Sequence, residues 1–454
     1  MRLVLACLFL LFSSCFGQKV ILVSLDGFRH DYIEKALAAK RNVSAFQQIT
    51  NAGFRAMKVQ SVMLSLTFPS HFSLATGRYV ENHGLVGNTF WDNDLKDNYV
   101  YTNDTKNLEP KWFTMNGNEP LWLTNQRNGG KSCVFYWPGS NSRMNGEMMY
   151  TDFGLYSSIP SLRFRVDRIM DWITKPDINF CMLYFNQPDN AGHKYGPDST
   201  QVLDAIEEVN DGIAYLLQRI EQSKELDEPP NIIVTSDHGM TTVNYKKVVN
   251  ASEVLSADEY IFGVDGSPAS LGVWPKAEGQ AAIDAIYNKL KTLQNCKVYK
   301  KEEIPEEYHF KNNSRIAPIV LIPDLGWMVQ SDPNDPYKSS LNGMHGYNNS
   351  EPDMHPFLVA MGPGIKQIGP IEEFHQVDVY ALVCLLLKIY RPNVVDSNVY
   401  RVIPVIKNLP SIDVIEAFNA YATGARSLPD GSMTLSANAL ILIFLSVIVQ
   451  ILQQ

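Results

Sequence analysis

The sequence predicts an α/β fold, with helices on both faces of a doubly wound, mostly parallel β-sheet and with insertions between its elements. Short, continuous apolar runs end abruptly at polar or glycine-rich turns, as strands that are buried on both faces do. Segments with apolar residues at helical spacing lie between these runs. Such alternation of strand and helix along a chain is typical of parallel α/β sheets.

Five apolar runs are the predicted strands of this sheet. The first leads directly into Asp26 and Gly27, and the fourth leads into Asp237, His238 and Gly239. The other runs likewise lead into turns that contain proline or glycine. The predicted strands are Lys19–Leu25, Ser132–Trp137, Ile178–Phe185, Asn231–Thr235 and Pro356–Ala360.

Helical patterns follow in three segments, Asp204–Gln222, Gln280–Leu293 and Val377–Leu387. The charged stretch of residues 300–315 is followed by further strand-like runs, so we expect it to be a surface excursion within one domain. Residues 18–425 are therefore expected to form a single domain with insertions.

The chain has 454 residues, and 39 Lys and Arg against 48 Asp and Glu give it a formal net charge of -9. A chain this acidic lacks the basic footprint of a non-specific nucleic-acid-binding protein, so no such surface is expected. If the protein handles phosphate groups, something other than a basic patch must supply positive charge. Metal ions are the obvious source.

Both ends of the chain indicate the secretory route. Residues 1–17 have a positive start at Arg2 and then an apolar stretch, which predicts a signal peptide cleaved near Gly17. Residues 439–452 are almost entirely apolar, but this run is shorter than the ~20 residues that span a bilayer, and no Lys or Arg follows it. Because small residues precede it at 430–432, residues 426–454 favour a GPI-attachment signal. A short C-terminal membrane anchor is the alternative.

Glycosylation sequons and cysteines bear on the same question. The sequons fit a protein on the extracellular face of the plasma membrane, which is where we expect it. Four cysteines outside the signal segment allow two disulfides in three connectivities. Cys133 and Cys181 lie in strand-like apolar runs, where free buried cysteine is common, so no pair is favoured. The sequons are Asn42, Asn103, Asn250, Asn312 and Asn348.

Acidic and histidine residues lie just past the C-terminal ends of predicted strands, the edge at which ligands bind in open α/β sheets. Asp189 and His193 are four residues apart, so one helical turn would direct both side chains the same way. Asp and His are usual ligands of zinc, and two ions can clamp the oxygens of a phosphoryl displacement. Two Zn²⁺ against three carboxylates leave about one positive charge, which suits a phosphodiester. The predicted metal ligands are Asp26, Asp189, His193, Asp237, His238 and His345.

Thr67 is the candidate nucleophile. Pro69 is a natural first-turn residue, and residues 70–76 continue as a short helix, so Thr67 would lie at the N-terminus of that helix. The helix dipole and a bound zinc would both favour its alkoxide there, whereas the alternative is an ordinary threonine N-cap. Asn88, in a glycine-containing turn, could donate its amide N–H to a phosphate oxygen.

These residues and their neighbours resemble the ectonucleotide pyrophosphatase/phosphodiesterase family of the alkaline phosphatase superfamily. The resemblance runs over nearly the whole mature chain and is to the short members 4 and 5. Asn348 and Ser70 depart from the family pattern, but neither departure removes a ligand. The motifs are Leu25-Asp-Gly-Phe28, Thr67-Phe-Pro69, Glu81-Asn-His-Gly84, Trp137-Pro-Gly-Ser140, Pro188-Asp189 with His193, Lys194-Tyr-Gly-Pro197, Ser236-Asp-His-Gly-Met240 and His345-Gly-Tyr347.

The resemblance implies an alkaline-phosphatase-like fold and a role for each site residue. Thr67 would form a covalent nucleotidyl-threonine that water then hydrolyses, and Asn88 would contact the phosphate. Phe68 would line the base pocket, and Tyr156 would be the tyrosine on which the base stacks. One zinc would be held by Asp189, His193 and His345, and the other by Asp26, Thr67, Asp237 and His238.

The resemblance also implies two disulfides, but Cys296 and Cys384 each lack an evident partner. His71 and His355 match no ligand position, so we expect them to pack beside the site or to support its ligands.

Three functions compete on this basis. The leading one is extracellular hydrolysis of nucleotide phosphodiester or pyrophosphate bonds to nucleoside 5′-monophosphates. The second is hydrolysis of phosphocholine esters of lipid or glycerol, which needs an aromatic or acidic cage for the choline cation. The third is a non-catalytic interaction role at the cell surface, against which the intact ligand set argues. A monoesterase is disfavoured by threonine in place of serine and by the lack of an evident third-metal motif.

Overall fold

The computed structural model describes residues 18–144, 151–152, 154–263, 267–331 and 340–427. The predicted signal peptide and the apolar C-terminal tail lie outside these residues. Strands and helices alternate along the described chain. The strands are β1 Val20–Leu25, β2 Gly53–Gln60, β3 Thr89–Asp92, β4 Asp97–Val100, β5 Ser132–Phe135, β6 Thr151–Asp152, β7 Phe180–Phe185, β8 Asn231–Thr235, β9 Thr241–Thr242, β10 Val248–Asn250, β11 Tyr260–Gly263, β12 Leu271–Pro275, β13 Cys296–Lys300, β14 Ile319–Pro323, β15 Met328–Gln330, β16 Gly343–Met344, β17 Leu358–Met361 and β18 Gly369–His375.

The helices join these strands, and the longest of them shows why the sequence is helical there. Residues Val202, Ile206, Val209 and Ile213 recur at helical spacing and are all buried, while Ser199 caps the first turn by accepting from the backbone N–H of Val202. No helix among the described residues combines the length and apolarity needed to cross a bilayer. The helices are α1 Tyr32–Ala38, α2 Ser44–Ala52, α3 Thr67–Thr76, α4 Val80–His83, α5 Asp104–Leu108, α6 Leu121–Arg127, α7 Leu162–Ile173, α8 Asp189–Tyr195, α9 Thr200–Gln222, α10 Gln280–Leu290, α11 Val379–Leu386, α12 Val399–Val402 and α13 Ile412–Ala422.

The central sheet has eight strands in the order β18-β2-β17-β8-β1-β7-β5-β6. Strand β1 lies between β7 and β8 and is parallel to both. Side chains of β1 alternate between two apolar cores, with Val20 and Leu22 on one face and Ile21, Val23 and Leu25 on the other. The predicted α/β fold with a mostly parallel, two-sided sheet is therefore confirmed.

One predicted strand runs against the others. Strand β17 is antiparallel to both β8 and β2, although its sequence is the continuous apolar run that parallel strands usually have. Apolarity on both faces reports that a strand is buried, and it carries no information on strand direction. As a result the N-terminal end of β17 lies at the sheet edge where β1 and β8 end, with Leu358 paired to Thr235.

The region around residues 300–315 differs from the expected surface excursion. Strands β11, β12, β14 and β13 form a separate antiparallel sheet in that order, and α10 packs against its core. Arg315 is buried, and its guanidinium binds Asp92 at 2.7 Å and the carbonyl oxygens of Gly84 and Trp112 at 2.9 Å. A buried ion pair with further hydrogen bonds ties this insertion to the β3–β4 hairpin.

Cys133 and Cys181 form a disulfide, a pairing that the sequence left open. Strands β5 and β7 are neighbours, and their register places these two residues directly opposite each other. The pairing of strands, which sequence periodicity does not specify, therefore decides the outcome. Cys296 and Cys384 are free, as their lack of an evident partner indicated.

Candidate active site

Three parallel strands end side by side and place three carboxylates at one edge. Asp26 follows β1, Asp189 begins α8 just after β7, and Asp237 follows β8. The backbone N–H of Asp189 donates to the carbonyl of Asp26 at 3.0 Å. Gly27 has φ +66°, and a Cβ there would lie 2.8 Å from Cβ of Asp189, so only glycine permits this approach.

Asp189, His193 and His345 form the first candidate metal group. Helix α8 directs Asp189 and His193 to the same side, so that His193 Nε2 lies 3.4 Å from Asp189 Oδ1. His345, from a distant part of the chain, brings its Nε2 to 3.1 Å from His193 Nε2 and 3.5 Å from the same carboxylate oxygen.

Asp26, Asp237 and His238 form the second group. His238 Nε2 lies 3.0 Å from Asp237 Oδ2 and 3.4 Å from Asp26 Oδ1. The hydroxyl of Thr67 is 3.3 Å from the same nitrogen. The rings of His238 and His345 stack with centroids 3.4 Å apart, so the two groups adjoin.

The hydrogen bonds of the three histidines leave both groups with lone pairs that could bind cations. Each Nδ1 faces a carbonyl oxygen, which can only accept, so each Nδ1 donates and each Nε2 of the neutral ring keeps a lone pair. These lone pairs point at one another and at Asp26 Oδ1, Asp189 Oδ1 and Asp237 Oδ2, three buried oxygens without a hydrogen-bond partner among the described residues. Apposed, buried acceptors of this kind are costly unless a cation binds between them. Oxygen and nitrogen donors in threes fit divalent zinc.

The electrostatics lead to the same conclusion. Burial raises the pKa of Asp26 well above its usual value, and the nearby carboxylates of Asp237 and Asp189 raise it further. Burial also acts to raise the pKa of Asp237, but His238 and His71 outweigh it and lower that pKa. The three carboxylates oppose one another's ionisation, and added positive charge would favour the ionised form of all three.

Thr67 is the first helical residue of α3, and Leu66 occupies the N-cap position without a side-chain cap. The Thr67 hydroxyl is directed at His238, so the alternative of an ordinary threonine N-cap is wrong. His71 links the first turn of α3 to β1, because its Nδ1 lies 2.7 Å from the carbonyl oxygen of Thr67 and its Nε2 lies 2.9 Å from the hydroxyl of Ser24. His71 is completely buried and 3.3 Å from Asp237, beside the ligands.

Asn88 presents its amide nitrogen to the site. Its Oδ1 accepts the backbone N–H of Phe68 at 2.8 Å, which leaves Nδ2 as the end that can donate to a bound group. Asn88 and Thr67 both line one cavity of about 550 Å³ together with the first metal group and with Asp26 of the second. This volume suits a small-molecule substrate.

Aromatic side chains form much of the cavity wall. Phe68 packs against Tyr101 with ring centroids 5.5 Å apart, and Tyr156 packs against Tyr136 and Tyr184 at 5.2 and 5.9 Å. Tyr156 is half exposed at 51%, so one face of its ring is open to a ligand. The structure thus brings every residue proposed from the sequence to one cavity or its metal groups.

The sequence analysis did not identify three residues of this site. Tyr184 donates its phenolic O–H to Asp26 Oδ2 at 2.5 Å while its ring lines the cavity. Tyr136 has φ +59°, a strained conformation that places its ring in the wall. Arg165 is fully buried, stacks over Tyr136 and donates to the carbonyl oxygens of Tyr184, Ser157 and Pro160 at 2.7, 3.2 and 2.9 Å. Tyrosine is common in ordinary cores, and an arginine on an amphipathic helix normally faces solvent, so neither residue type marks the site. Only the position of Tyr184, five residues before Asp189, was a usable signal.

Comparison with known proteins identifies the family of the chain. The family model for type I phosphodiesterase / nucleotide pyrophosphatase matches residues 20–348. The chain is 35% identical over 374 residues to bis(5′-adenosyl)-triphosphatase enpp4 of Xenopus laevis, covering 82% of this chain and 78% of that protein. It is 36% identical to human ectonucleotide pyrophosphatase/phosphodiesterase family member 5, covering 82% and 75%.

Solved structures give the same result. A murine ectonucleotide pyrophosphatase/phosphodiesterase 5, an inactive variant in complex with AMP, superposes with a TM-score of 0.79 at 32% identity, covering 86% of this chain and all of that one. The chain belongs to the ectonucleotide pyrophosphatase/phosphodiesterase family. The chain thus belongs to a family of phosphodiesterase and pyrophosphatase hydrolases.

Proposed function

We propose that this protein is an extracellular, two-zinc nucleotide phosphodiesterase and pyrophosphatase that uses Thr67 as its nucleophile and releases nucleoside 5′-monophosphates. The observation that carries the proposal is the meeting of two candidate metal groups with the hydroxyl of Thr67 beside one aromatic-walled cavity. Two metal sites beside a nucleophile can stabilise both the attacking and the leaving oxygen of an in-line phosphoryl displacement.

Each residue has a part in the reaction. Two zinc ions, when bound by Asp189, His193 and His345 and by Asp26, Thr67, Asp237 and His238, would supply positive charge to the phosphoryl group and to the Thr67 oxygen. Thr67 Oγ1 attacks phosphorus, the bond to the leaving-group oxygen breaks, and the hydroxyl proton passes to solvent. Water then attacks the nucleotidyl-threonine, releasing the nucleoside 5′-monophosphate and restoring the hydroxyl.

Asn88 and the wall residues position the substrate. Asn88 Nδ2 donates to a non-bridging phosphoryl oxygen and stabilises the charge that grows there, while Oδ1 stays bound to the Phe68 N–H. The exposed face of Tyr156 and the ring of Phe68 offer stacking surfaces for a base, worth about 1–3 kcal/mol per base. A related protein binds AMP, and another is named for cleavage of a bis-adenosyl triphosphate, which supports a nucleotide substrate.

The test compares two chromogenic substrates with the same p-nitrophenol leaving group, a thymidine 5′-phosphate ester and a phosphocholine ester. We expect the purified ectodomain to cleave the nucleotide ester preferentially and to lose activity on chelation and in Thr67→Ala. Preference for the phosphocholine ester would replace the substrate class but keep the site. No Thr67-dependent cleavage of either ester would overturn the enzymatic proposal and favour the non-catalytic cell-surface role.

The location is a separate proposal. The signal peptide and the C-terminal signal predicted from the sequence support a GPI-anchored protein on the outer face of the plasma membrane. Expressed in animal cells, the full chain should be released from the surface by a phospholipase C specific for phosphatidylinositol. Retention on the surface after that treatment would favour the short membrane anchor instead.

A further inference from the structure

Two histidines lie opposite each other where the loop that follows β1 meets the segment that precedes β17. Arg29 and Pro356 form an antiparallel bridge there, and the backbone N–H of His30 donates to the carbonyl oxygen of His355 at 3.0 Å. In this register His30 and His355 are directly opposite, so their side chains leave the same face of the pair. Neither residue lines the catalytic cavity.

The two rings hold buried nitrogens that lack a partner. The ring centroids are 6.0 Å apart, and the ring planes cross at 62°. His355 is 5% exposed, and its Nε2 is buried with no hydrogen-bond partner among the described residues. The ring of His355 donates to the backbone of Asn349, so the donor is its Nδ1 and its Nε2 keeps a lone pair. His30 Nδ1 is also buried, and no described residue is its partner.

Both rings are neutral at neutral pH. Burial and the neighbouring His30 lower the pKa of His355 to about 4, and burial also lowers the pKa of His30. Three basic side chains near the pair are each bound to a carboxylate, which offsets their charge. These ion pairs are Arg29 with Asp31 at 2.7 Å, Arg55 with Glu34 at 2.6 Å and Lys58 with Glu373 at 2.6 Å.

Two neutral imidazoles select the kind of ion that fits between them. Imidazole nitrogen suits zinc, copper, iron and nickel, whereas Mg²⁺ and Ca²⁺ require oxygen ligands, and copper is the divalent ion that such donors bind most tightly. Metal–nitrogen bonds of about 2.0–2.1 Å place the centroids of two rings that share an ion about 5–6.5 Å apart, a range that includes the observed separation. His30 is partly exposed, so an ion can enter from solvent and complete its coordination with water.

We infer that His30 and His355 form a metal site, separate from the two catalytic groups, that takes an imidazole-binding transition-metal ion and binds Cu²⁺ most tightly. An ion there ties the loop after Asp26 to the segment between His345 and β17. Its effect is therefore on the stability of the fold behind the catalytic residues, and it takes no part in the attack on phosphorus.

The experiment titrates the mature protein, loaded with zinc and desalted, with Cu²⁺. Elemental analysis after gel filtration counts zinc and copper separately, and electron paramagnetic resonance reports the nitrogen ligands of the bound Cu²⁺. The variants are His30→Ala and His355→Gln, and the matched control is His309→Ala, a partly exposed histidine that stacks on Tyr79.

We expect the wild type and His309→Ala to keep their zinc and to bind one further Cu²⁺ with two nitrogen ligands. Loss of a direct ligand should weaken this copper at least as much as loss of a group that orients a ligand, so His30→Ala and His355→Gln should bind it at least about 10- to 100-fold more weakly. Copper should also raise the Tm of the wild type and not that of His30→Ala.

Two results would overturn the inference. Equal copper affinity in the wild type and in a folded His30→Ala would place the copper elsewhere on the protein. Copper that binds the wild type only in exchange for zinc, or not at all, would show that the histidine pair is not a metal site. Because His30 is partly exposed, His30→Ala keeps the test decisive if the more buried His355→Gln fails to fold.

Discussion

Changing Tyr184 to phenylalanine separates the two contributions that this residue makes to the site. The ring lines the cavity near Tyr156, while the phenolic O–H donates to Asp26 Oδ2 at 2.5 Å. Asp26 Oδ1 has no hydrogen-bond partner in the described part of the chain and is the oxygen that faces His238. Tyr184→Phe therefore keeps the wall and removes the group that orients a proposed metal ligand.

The size of the effect follows from the hydrogen bond that is lost. A hydrogen bond to a charged group contributes about 1.5–3 kcal/mol, which corresponds to about 10- to 150-fold in affinity. Loss of a group that orients a metal ligand typically weakens metal binding by about 10- to 100-fold, in the same range. Burial and the neighbouring Asp26 raise the pKa of Tyr184 well above its usual value, so its hydroxyl is protonated and donates at any working pH.

The assay is zinc affinity measured by competition with a chromogenic chelator, followed by kinetics at saturating zinc. We expect one of two zinc ions to bind about 10- to 100-fold more weakly in Tyr184→Phe, with KM for the nucleotide ester little changed. Tyr380→Phe is the control, because Tyr380 is a fully buried tyrosine whose hydroxyl contacts Thr124 and the backbone N–H of Asn393, neither of which belongs to the site. Equal zinc affinities in Tyr184→Phe and the wild type would refute the assignment of Asp26 as a metal ligand.

Three further predictions test other parts of the site and the fold. Arg165→Met leaves three carbonyl oxygens unpaired behind the cavity wall. KM for the nucleotide ester should therefore rise at least about tenfold, while zinc affinity stays unchanged. An unchanged KM would contradict the positioning role of Arg165. Asn88→Asp keeps the hydrogen bond to the Phe68 N–H but replaces the amide donor by a negatively charged acceptor. In steady-state kinetics kcat should therefore fall by about 10²–10³-fold. A loss of less than tenfold would contradict the contact with the phosphate. Burial lowers the pKa of His83 to about 3. Below about pH 6.5 this histidine therefore binds a proton in the unfolded chain but stays neutral in the native state. Stability should therefore fall between about pH 6.5 and about 3, and thermal unfolding of His83→Gln should depend less steeply on pH in that range, an identical slope being the contrary result.

Sequence periodicity predicts the parts of the fold that depend on local burial. The apolar runs of β1, β7 and β8 lie within one or two residues of their predicted bounds. Because these strands are parallel neighbours, the residues that follow them converge at one edge, which is why Asp26 and Asp237 were identifiable from chain position alone.

Features that depend on pairing between distant segments were not predictable in this way. The direction of β17 and the opposition of Cys133 and Cys181 follow from which strands are neighbours, which no local pattern encodes. The antiparallel sheet around β12 was missed because its strands are short and separated by charged residues.

The site residues likewise divide into those that local patterns predict and those that depend on contacts between distant segments. His193 follows from its helical spacing to Asp189, whereas grouping His345 with that pair depends on a contact across some 150 residues and came only from the family resemblance. Arg165 lies on an amphipathic helix, where an arginine normally faces solvent, and only the folded chain shows that it is buried behind the cavity.

The central claim is that Thr67 attacks phosphorus within a metal-dependent site. The most direct measurement is rapid acid quenching of the zinc-loaded protein during turnover of the nucleotide ester, followed by peptide mass spectrometry. The predicted result is a nucleoside 5′-monophosphate attached to the peptide at Thr67, and this adduct should be absent after chelation. In Thr67→Ser the adduct should be absent only if that variant is inactive. Turnover at the full wild-type rate in Thr67→Ala, or an adduct on another residue, would contradict it.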